Sequence, residues 1–167
     1  MERLRKNQRG FTLIELIVVV LIIGIVATTA VIGISTISNA RANGCAKRLS
    51  ALLDQARVET MSKVEGAVSL EICQNGTEYY GILRVSGVAQ DEIELGNQAL
   101  TLTVMNGTDE IMTISEGDSL LISFKKGSGS LMFDETTGHP AFTSIVISGS
   151  NTRTVRIYKE TGRNIIE

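Results

Sequence analysis

Residues 10–34 read GFTLIELIVVVLIIGIVATTAVIGI, and this stretch decides how the rest of the chain is organised. No charged residue occurs between Leu16 and Ala40. As a helix, the apolar part from Leu16 to Ile34 is long enough to cross most of a bilayer core. Basic residues crowd the segment before it, at Arg3, Arg5, Lys6 and Arg9. By the positive-inside rule, we expect a single-pass protein of the cytoplasmic membrane with its bulk outside the cytoplasm.

The overall composition excludes several functional classes. The 16 Lys and Arg against 18 Asp and Glu give a formal net charge of -2, which argues against a globally basic nucleic-acid-binding protein. The aromatic content of 4% excludes an aromatic-rich stacking platform. One histidine and two cysteines are too few for a zinc cluster. We therefore expect neither a metal nor a cofactor.

A carboxylate, Glu15, stands at the head of the apolar segment. Burying a carboxylate costs about 2.5–3.5 kcal/mol at the centre of a membrane, so a functional role with a positive partner is expected. If the chain is cut between Gly10 and Phe11, the new amino group on Phe11 of a neighbouring copy supplies that positive charge. Two other interpretations stay open, namely an ordinary signal anchor and a secretory signal cleaved after Ala42.

The motif Gly10-Phe11-Thr12-Leu13-Ile14-Glu15-Leu16, with Gly24 behind it, resembles the leader of the type IV pilin and pseudopilin family. The resemblance implies that residues 1–10 are a class III prepilin leader. It further implies cleavage after Gly10 and N-methylation of Phe11 by a prepilin peptidase/methyltransferase. Glu15 would then guide docking and register with other pilin subunits in a filament, which grows from an inner-membrane assembly platform.

After Arg41 the apolar pattern becomes periodic. Apolar side chains recur at three- and four-residue steps, at Cys45, Leu49, Leu52, Leu53 and Ala56. The pattern predicts one helix of about 50 residues from Thr12 to Val64. Residues 11–40 form its transmembrane or filament-core half and residues 41–65 its amphipathic half. We expect a weak point at Gly44 and a helix end at Glu65-Gly66.

Residues 66–167 are predicted to form a β-rich globular ectodomain. Alternation at Val68–Cys73 predicts a strand, and Gln74–Thr77 predicts the turn that follows it. Further short strands are predicted at Tyr79–Ser86, Ala99–Met105, Ile111–Ile114, Leu120–Phe124, Thr143–Ser148 and Arg153–Tyr158. The fold class is therefore α+β, a pilin-like long helix packed on one face of an antiparallel β-sheet.

Two further segments resemble one particular branch of this family. Leu49–Thr60 reads LSALLDQARVET, and Thr154–Arg163 reads TVRIYKETGR. Both are similar to the helix end and the closing strand and turn of the GspH/FimT-type minor pilins and pseudopilins. Residues 87–132 carry no such motif.

The two cysteines, Cys45 and Cys73, are a candidate disulfide, because the ectodomain is expected in an exported, potentially oxidising space. The faces on which the two cysteines are predicted to lie argue against a disulfide between them. Cys45 lies on the helix face that meets the sheet, whereas Cys73 shares a strand face with Ser69 and Glu71, opposite the apolar face. Two free thiols are the alternative.

The C-terminal cations Arg156, Lys159 and Arg163 are candidate DNA contacts. Some FimT-like minor pilins bind DNA through a basic C-terminal segment with a G-R-x-R pattern, and Gly162-Arg163 supplies only the first half of it. An exposed edge strand, protected from pairing by its charges, explains the same residues. DNA is therefore an alternative partner, less expected than the other pilin subunits.

No catalytic constellation emerges from the sequence. The histidine, His139, lies in a Gly-His-Pro turn, and the acidic run Asp91–Glu94 is interpreted as solvated strand ends and turns. We expect a non-enzymatic structural subunit, a minor pilin or pseudopilin that leaves the membrane for a type IV pilus or a type II secretion pseudopilus. The alternative is a DNA-binding minor pilin of a DNA-uptake pilus.

Overall fold

The computed structural model describes residues 11–62, 67–133 and 140–167, and for residues 28–38 it describes the backbone alone. Helix α1 spans Leu13–Met61. The predicted weak point at Gly44 does not break the helix. The predicted helix end at Glu65-Gly66 lies outside the described residues.

The chain divides into two compact units, one ending at Ile37 and one formed by Ser38–Glu167. Among the residues whose side chains are described, no helical stretch has the length and hydropathy that crossing a bilayer requires. Part of the predicted membrane half of the helix, residues 28–38, lies outside those residues.

Ten strands follow the helix in the described part of the chain. They are β1 (Val68–Asn75), β2 (Glu78–Val85), β3 (Val88–Asn97), β4 (Thr101–Asn106), β5 (Asp109–Thr113), β6 (Ser119–Phe124), β7 (Leu131–Met132), β8 (Ser144–Ser148), β9 (Thr152–Ile157) and β10 (Asn164–Ile166). The first sheet has the order β3-β2-β1-β6-β7 and the second has the order β10-β9-β8-β4-β5, with antiparallel pairing throughout both. The α+β class is confirmed, but the expectation of one sheet is wrong.

Each of the two sheets buries one apolar face in a shared core. The helix stripe predicted from Cys45 to Ala56 is 0–1% exposed, which confirms it. Inward-facing residues of both sheets belong to the same core, for example Leu70 and Ile122 of the first sheet and Ile145 and Val155 of the second. The core therefore places the amphipathic part of the helix in contact with two sheets.

Three strands were not predicted, because none shows a clear alternation. Strand β3 is exposed on both faces from Val88 to Glu92, while β7 and β10 are only two and three residues long. The acidic run Asp91–Glu94 lies inside β3, so its interpretation as strand ends and turns is wrong. It forms the edge of the first sheet, where charged side chains hinder pairing with another chain.

Strand β9 is not the exposed edge strand by which the sequence analysis explained the charges of Arg156 and its neighbours. Asn164–Ile166 folds back and pairs with Val155–Ile157, so that β10 becomes the edge and β9 lies between β10 and β8. Val155 and Ile157 are buried, Arg156 is exposed, and Arg153 donates from Nε to Oδ1 of Asn43 on the helix at 2.5 Å.

Candidate functional site

The first turn of helix α1 is closed by Thr12. Its Oγ1 accepts a hydrogen bond from the backbone N–H of Glu15 at 3.3 Å, and its carbonyl accepts one from the N–H of Leu16 at 3.2 Å. This is the bonding of an N-cap threonine, worth about 1 kcal/mol to a helix. Phe11 precedes the helix and is 83% exposed. Gly10 lies outside the described residues.

Glu15 occupies the third position of the helix and is exposed. A carboxylate in the first turn lies near the positive end of the helix dipole, which stabilises it by about 0.3–1 kcal/mol. The cap and the dipole therefore make this turn a favourable place for the acid, and its side chain is exposed. Thr12 and Glu15 together have the spacing of a capping box.

The helix behind Glu15 presents an apolar surface. The large apolar side chains between Leu13 and Ile23 are 47–78% exposed. Exposed apolar area of this extent marks a surface that lipid or protein covers in use. The exposed carboxylate of Glu15 lies at the head of this surface.

Residues 5–31 match the family of the prokaryotic N-terminal methylation motif. The match contains Gly10, Phe11 and Glu15 and supports a type IV pilin-like chain with prepilin processing. The motif implies cleavage by a prepilin peptidase and assembly with other pilin subunits. The segments that resemble the GspH/FimT-type branch, Leu49–Thr60 and Thr154–Arg163, lie outside the matched residues. No curated protein and no solved structure shows significant similarity to the chain.

Cys45 and Cys73 are both free, so the candidate disulfide is not formed. Cys45 points into the core, 1% exposed, and burial raises the pKa of its thiol to about 12 although the nearby Arg48 opposes the shift. Cys73 lies on the opposite face of strand β1 from the buried Leu70 and Ile72. Burial, then the charges of Glu71 and Glu92, raises its pKa as well.

The three C-terminal candidates lie around Tyr158. Arg156 pairs with the carboxylate of Glu167 at 3.1 Å, and Lys159 lies 4.0 Å from the carboxylate of Glu160. The side chain of Arg163 is exposed. Two cavities adjoin here, of about 760 and 400 Å³, and Tyr158 and Thr161 line both. The structure therefore brings the three cations to one surface, although two of them have acidic neighbours.

One further cation joins this surface from the helix, and no local motif in the sequence indicated it. The guanidinium of Arg57 donates from Nε to the carbonyl of Thr161 at 2.7 Å. The turn after β6 contacts the same segment through the backbone of Gly129. We call the four residues Arg57, Arg156, Lys159 and Arg163 the basic surface.

An acidic group lies on the outer face of the first sheet. Tyr80 donates its hydroxyl to Glu78 at 2.6 Å, and in the strand register it lies opposite Glu94. Glu92 is two residues from Glu94 on the same face. The bond to Glu78 and the neighbouring carboxylates raise the pKa of Tyr80 to about 12. We call Glu78, Glu92 and Glu94 the acidic patch.

Within the described ranges, no group of three or more His, Cys, Asp or Glu side chains converges to hold a metal. His139 lies outside those ranges. The described residues form a capped helix start, an apolar helix surface, the basic surface and the acidic patch.

Proposed function

We propose that this chain is a structural subunit, a GspH/FimT-type minor pilin or pseudopilin of a type IV pilus or a type II secretion pseudopilus. A single observation carries the proposal. Inside a methylation motif that spans residues 5–31, a capped helix presents an exposed carboxylate, Glu15, at the head of an exposed apolar surface. This arrangement suits a helix that packs among the helices of other subunits in a filament core.

In this proposal the helix has two successive environments. Before assembly, the apolar run from Leu16 to Ile34 anchors the chain in the cytoplasmic membrane, with the ectodomain outside the cytoplasm. Cleavage after Gly10 removes the basic leader and leaves Phe11 as an N-methylated terminus. After assembly, the same apolar surface packs against the helices of neighbouring subunits in the filament, above the inner-membrane platform.

Glu15 then provides the register. A charged amine on Phe11 and a carboxylate on a neighbouring copy attract strongly in an apolar layer, and either charge alone would be costly there. The attraction selects one axial offset between helices whose remaining side chains are uniformly apolar. Loss of the carboxylate therefore removes docking without touching the ectodomain core.

The test is incorporation of Glu15→Val into filaments in cells that also produce the prepilin peptidase. We expect leader removal and ectodomain folding to persist while incorporation falls at least tenfold. Ile17→Val, which changes an exposed apolar side chain of the same helix, is the matched control and should assemble normally. Incorporation of Glu15→Val at the wild-type level would refute the proposal.

A second function, DNA binding by a DNA-uptake pilus, is favoured by the grouping of Arg156, Lys159 and Arg163 on one surface. It predicts retention of duplex DNA by the processed full chain, weakening steeply with salt. Replacing Arg156 and Arg163 together by glutamine should then reduce retention at every DNA sequence. Unchanged retention by that variant would exclude these residues as contacts.

A further inference from the structure

The larger cavity beside Tyr158, of about 760 Å³, is lined by two arginines that have no acidic partner. Among the residues that the structure describes, neither Arg57 nor Arg163 forms a salt bridge. Asp54, three residues before Arg57 on the helix, accepts instead from the side-chain amide of Asn164 at 2.9 Å. Two guanidinium groups that line one cavity and are not paired with carboxylates favour an anionic ligand.

Arg57 is held in place by the protein itself. Its Nε donates to the carbonyl of Thr161 at 2.7 Å, and its side chain lies so close to Gly129 that a Cβ there would be 2.9 Å from Nε. These contacts involve Nε and leave the geometry of the two Nη groups fixed. A carboxylate therefore binds this guanidinium with little further loss of side-chain entropy.

The same cavity offers apolar contact area. Val58, Tyr158 and Ile165 line it and are 60%, 48% and 40% exposed. Asp54 lines it as well, so a run of phosphates would bring negative charge against a carboxylate. A ligand with apolar groups and a single carboxylate fits this lining better than a polyanion does.

Strand β10 adds a sheet edge at the same place. It lies at one end of the second sheet, and within the described strands it pairs with β9 alone. Glu167 exchanges two backbone hydrogen bonds with Thr154, at 2.8 and 3.0 Å. Because the direction of the backbone groups alternates along an antiparallel strand, Asn164 and Ile166 direct their N–H and C=O groups away from β9. An extended peptide is the ligand that satisfies such an edge.

We propose that the larger cavity and the edge of β10 bind an extended peptide segment of a partner protein that carries an Asp or Glu side chain. The segment adds as a further strand beside Asn164 and Ile166, and its carboxylate lies between Arg57 and Arg163. An apolar side chain two residues along the segment shares the face of the carboxylate and packs against Tyr158. The site needs neither leader removal nor a filament, so it goes beyond the proposed function and does not depend on it.

The edge and the arginines have complementary roles. Strand β10 has only three residues, so backbone pairing alone holds a short segment weakly. The two guanidinium groups add charge-assisted hydrogen bonds and select acidic segments over neutral ones. We therefore expect binding to depend on both the carboxylate and the backbone N–H groups of the peptide.

The first experiment titrates the full chain, purified in detergent micelles, with three blocked hexapeptides in which glutamate is flanked by valine, isoleucine or tyrosine. Calorimetry should show saturable binding of at least one. Replacing its glutamate by glutamine, or N-methylating the backbone at the residues that pair with β10, should each weaken binding at least about fivefold. Failure of all three peptides to bind would overturn the proposal, and so would equal binding of the N-methylated peptide.

A variant of the chain tests the arginine contact. Arg163→Gln should weaken binding of the acidic peptide at least about fivefold and leave binding of the glutamine peptide unchanged. The side chain of Arg163 is exposed, and thermal unfolding of the variant checks that the domain stays folded. Lys47→Gln, which changes an exposed helix cation outside the cavity, is the matched control and should bind like the wild type. Unchanged affinity of Arg163→Gln for the acidic peptide would contradict the site.

Amide hydrogen exchange, measured by NMR, tests the strand addition directly. Saturation with the acidic peptide should slow exchange at Asn164 and Ile166 at least about tenfold. Protection of these two amides without peptide, in a chain that sediments as a dimer, would assign the edge to a second copy and overturn the proposal. Duplex DNA that binds more tightly than every peptide and displaces them from the wild type would overturn it too.

Discussion

The carbonyl oxygen of Gly129 fills the space that a side chain at Gly162 would need. Both glycines have positive φ, +66° and +64°, and the N–H of Leu131 donates to the carbonyl of Lys159 at 2.9 Å beside them. The turn after β6 and the turn between β9 and β10 therefore pack backbone against backbone. This contact holds together the part of the domain that carries the basic surface.

Gly162→Ala is expected to lower the free energy of unfolding by about 2–5 kcal/mol, the sum of a left-handed backbone penalty and a backbone overlap. Gly76→Ala is the matched control, because Gly76 has φ +60° but open space where a Cβ would lie. It should lose only about 1–2 kcal/mol. Urea unfolding of both variants measures the difference, and equal losses would contradict the close approach.

Gly44→Ala should raise the free energy of unfolding by about 0.5–1 kcal/mol. Gly44 lies inside the unbroken helix, and a Cβ there would meet nothing within 4 Å. Gly81→Ala should instead lower the free energy of unfolding, because its Cβ would lie 2.5 Å from Cδ1 of Leu52, where the helix meets the first sheet. Thermal unfolding of the two variants checks the pair, and a destabilised Gly44→Ala would show that the helix needs flexibility there.

Only part of the fold could be predicted from the sequence. Apolar side chains recur over several turns of the helix from Cys45 to Ala56, so the buried face of the helix could be predicted. Strand β3 has no apolar alternation in its first half, and only pairing with β2 makes it a strand. The division into two sheets likewise depends on which strands pair at long range, and local periodicity contains no information on that.

The thiol of Cys45 should make stability fall at high pH. In the unfolded chain it ionises near its ordinary pKa of 9.0, whereas in the folded chain it stays protonated until about pH 12. The unfolded state therefore loses the proton first, and between these values stability decreases by about 1.4 kcal/mol per pH unit. Unfolding of the wild type and Cys45→Ala between pH 8 and 10.5 should give profiles that converge as pH rises; parallel profiles would exclude this role for Cys45.

The helix head and the basic surface differ in how far the sequence predicted them. Gly10, Phe11 and Glu15 form a contiguous motif, and the cap formed by Thr12 follows from its spacing to Glu15. The basic surface was predictable only in part, because Arg156, Lys159 and Arg163 are close in sequence while Arg57 reaches them through a tertiary contact. The two segments that resemble GspH/FimT-type proteins, residues 49–60 and 154–163, are far apart in the sequence, and neither indicated that Arg57 contacts Thr161.

The central claim is that the working protein begins at Phe11. Intact-mass and N-terminal peptide analysis of the chain from cells that produce a prepilin peptidase tests it most directly. We predict a chain that lacks residues 1–10 and starts with N-methylated Phe11, with Gly10→Val, which alters the residue before the cut, left unprocessed. A wild-type chain that still carries Met1 in the presence of an active peptidase would contradict the account.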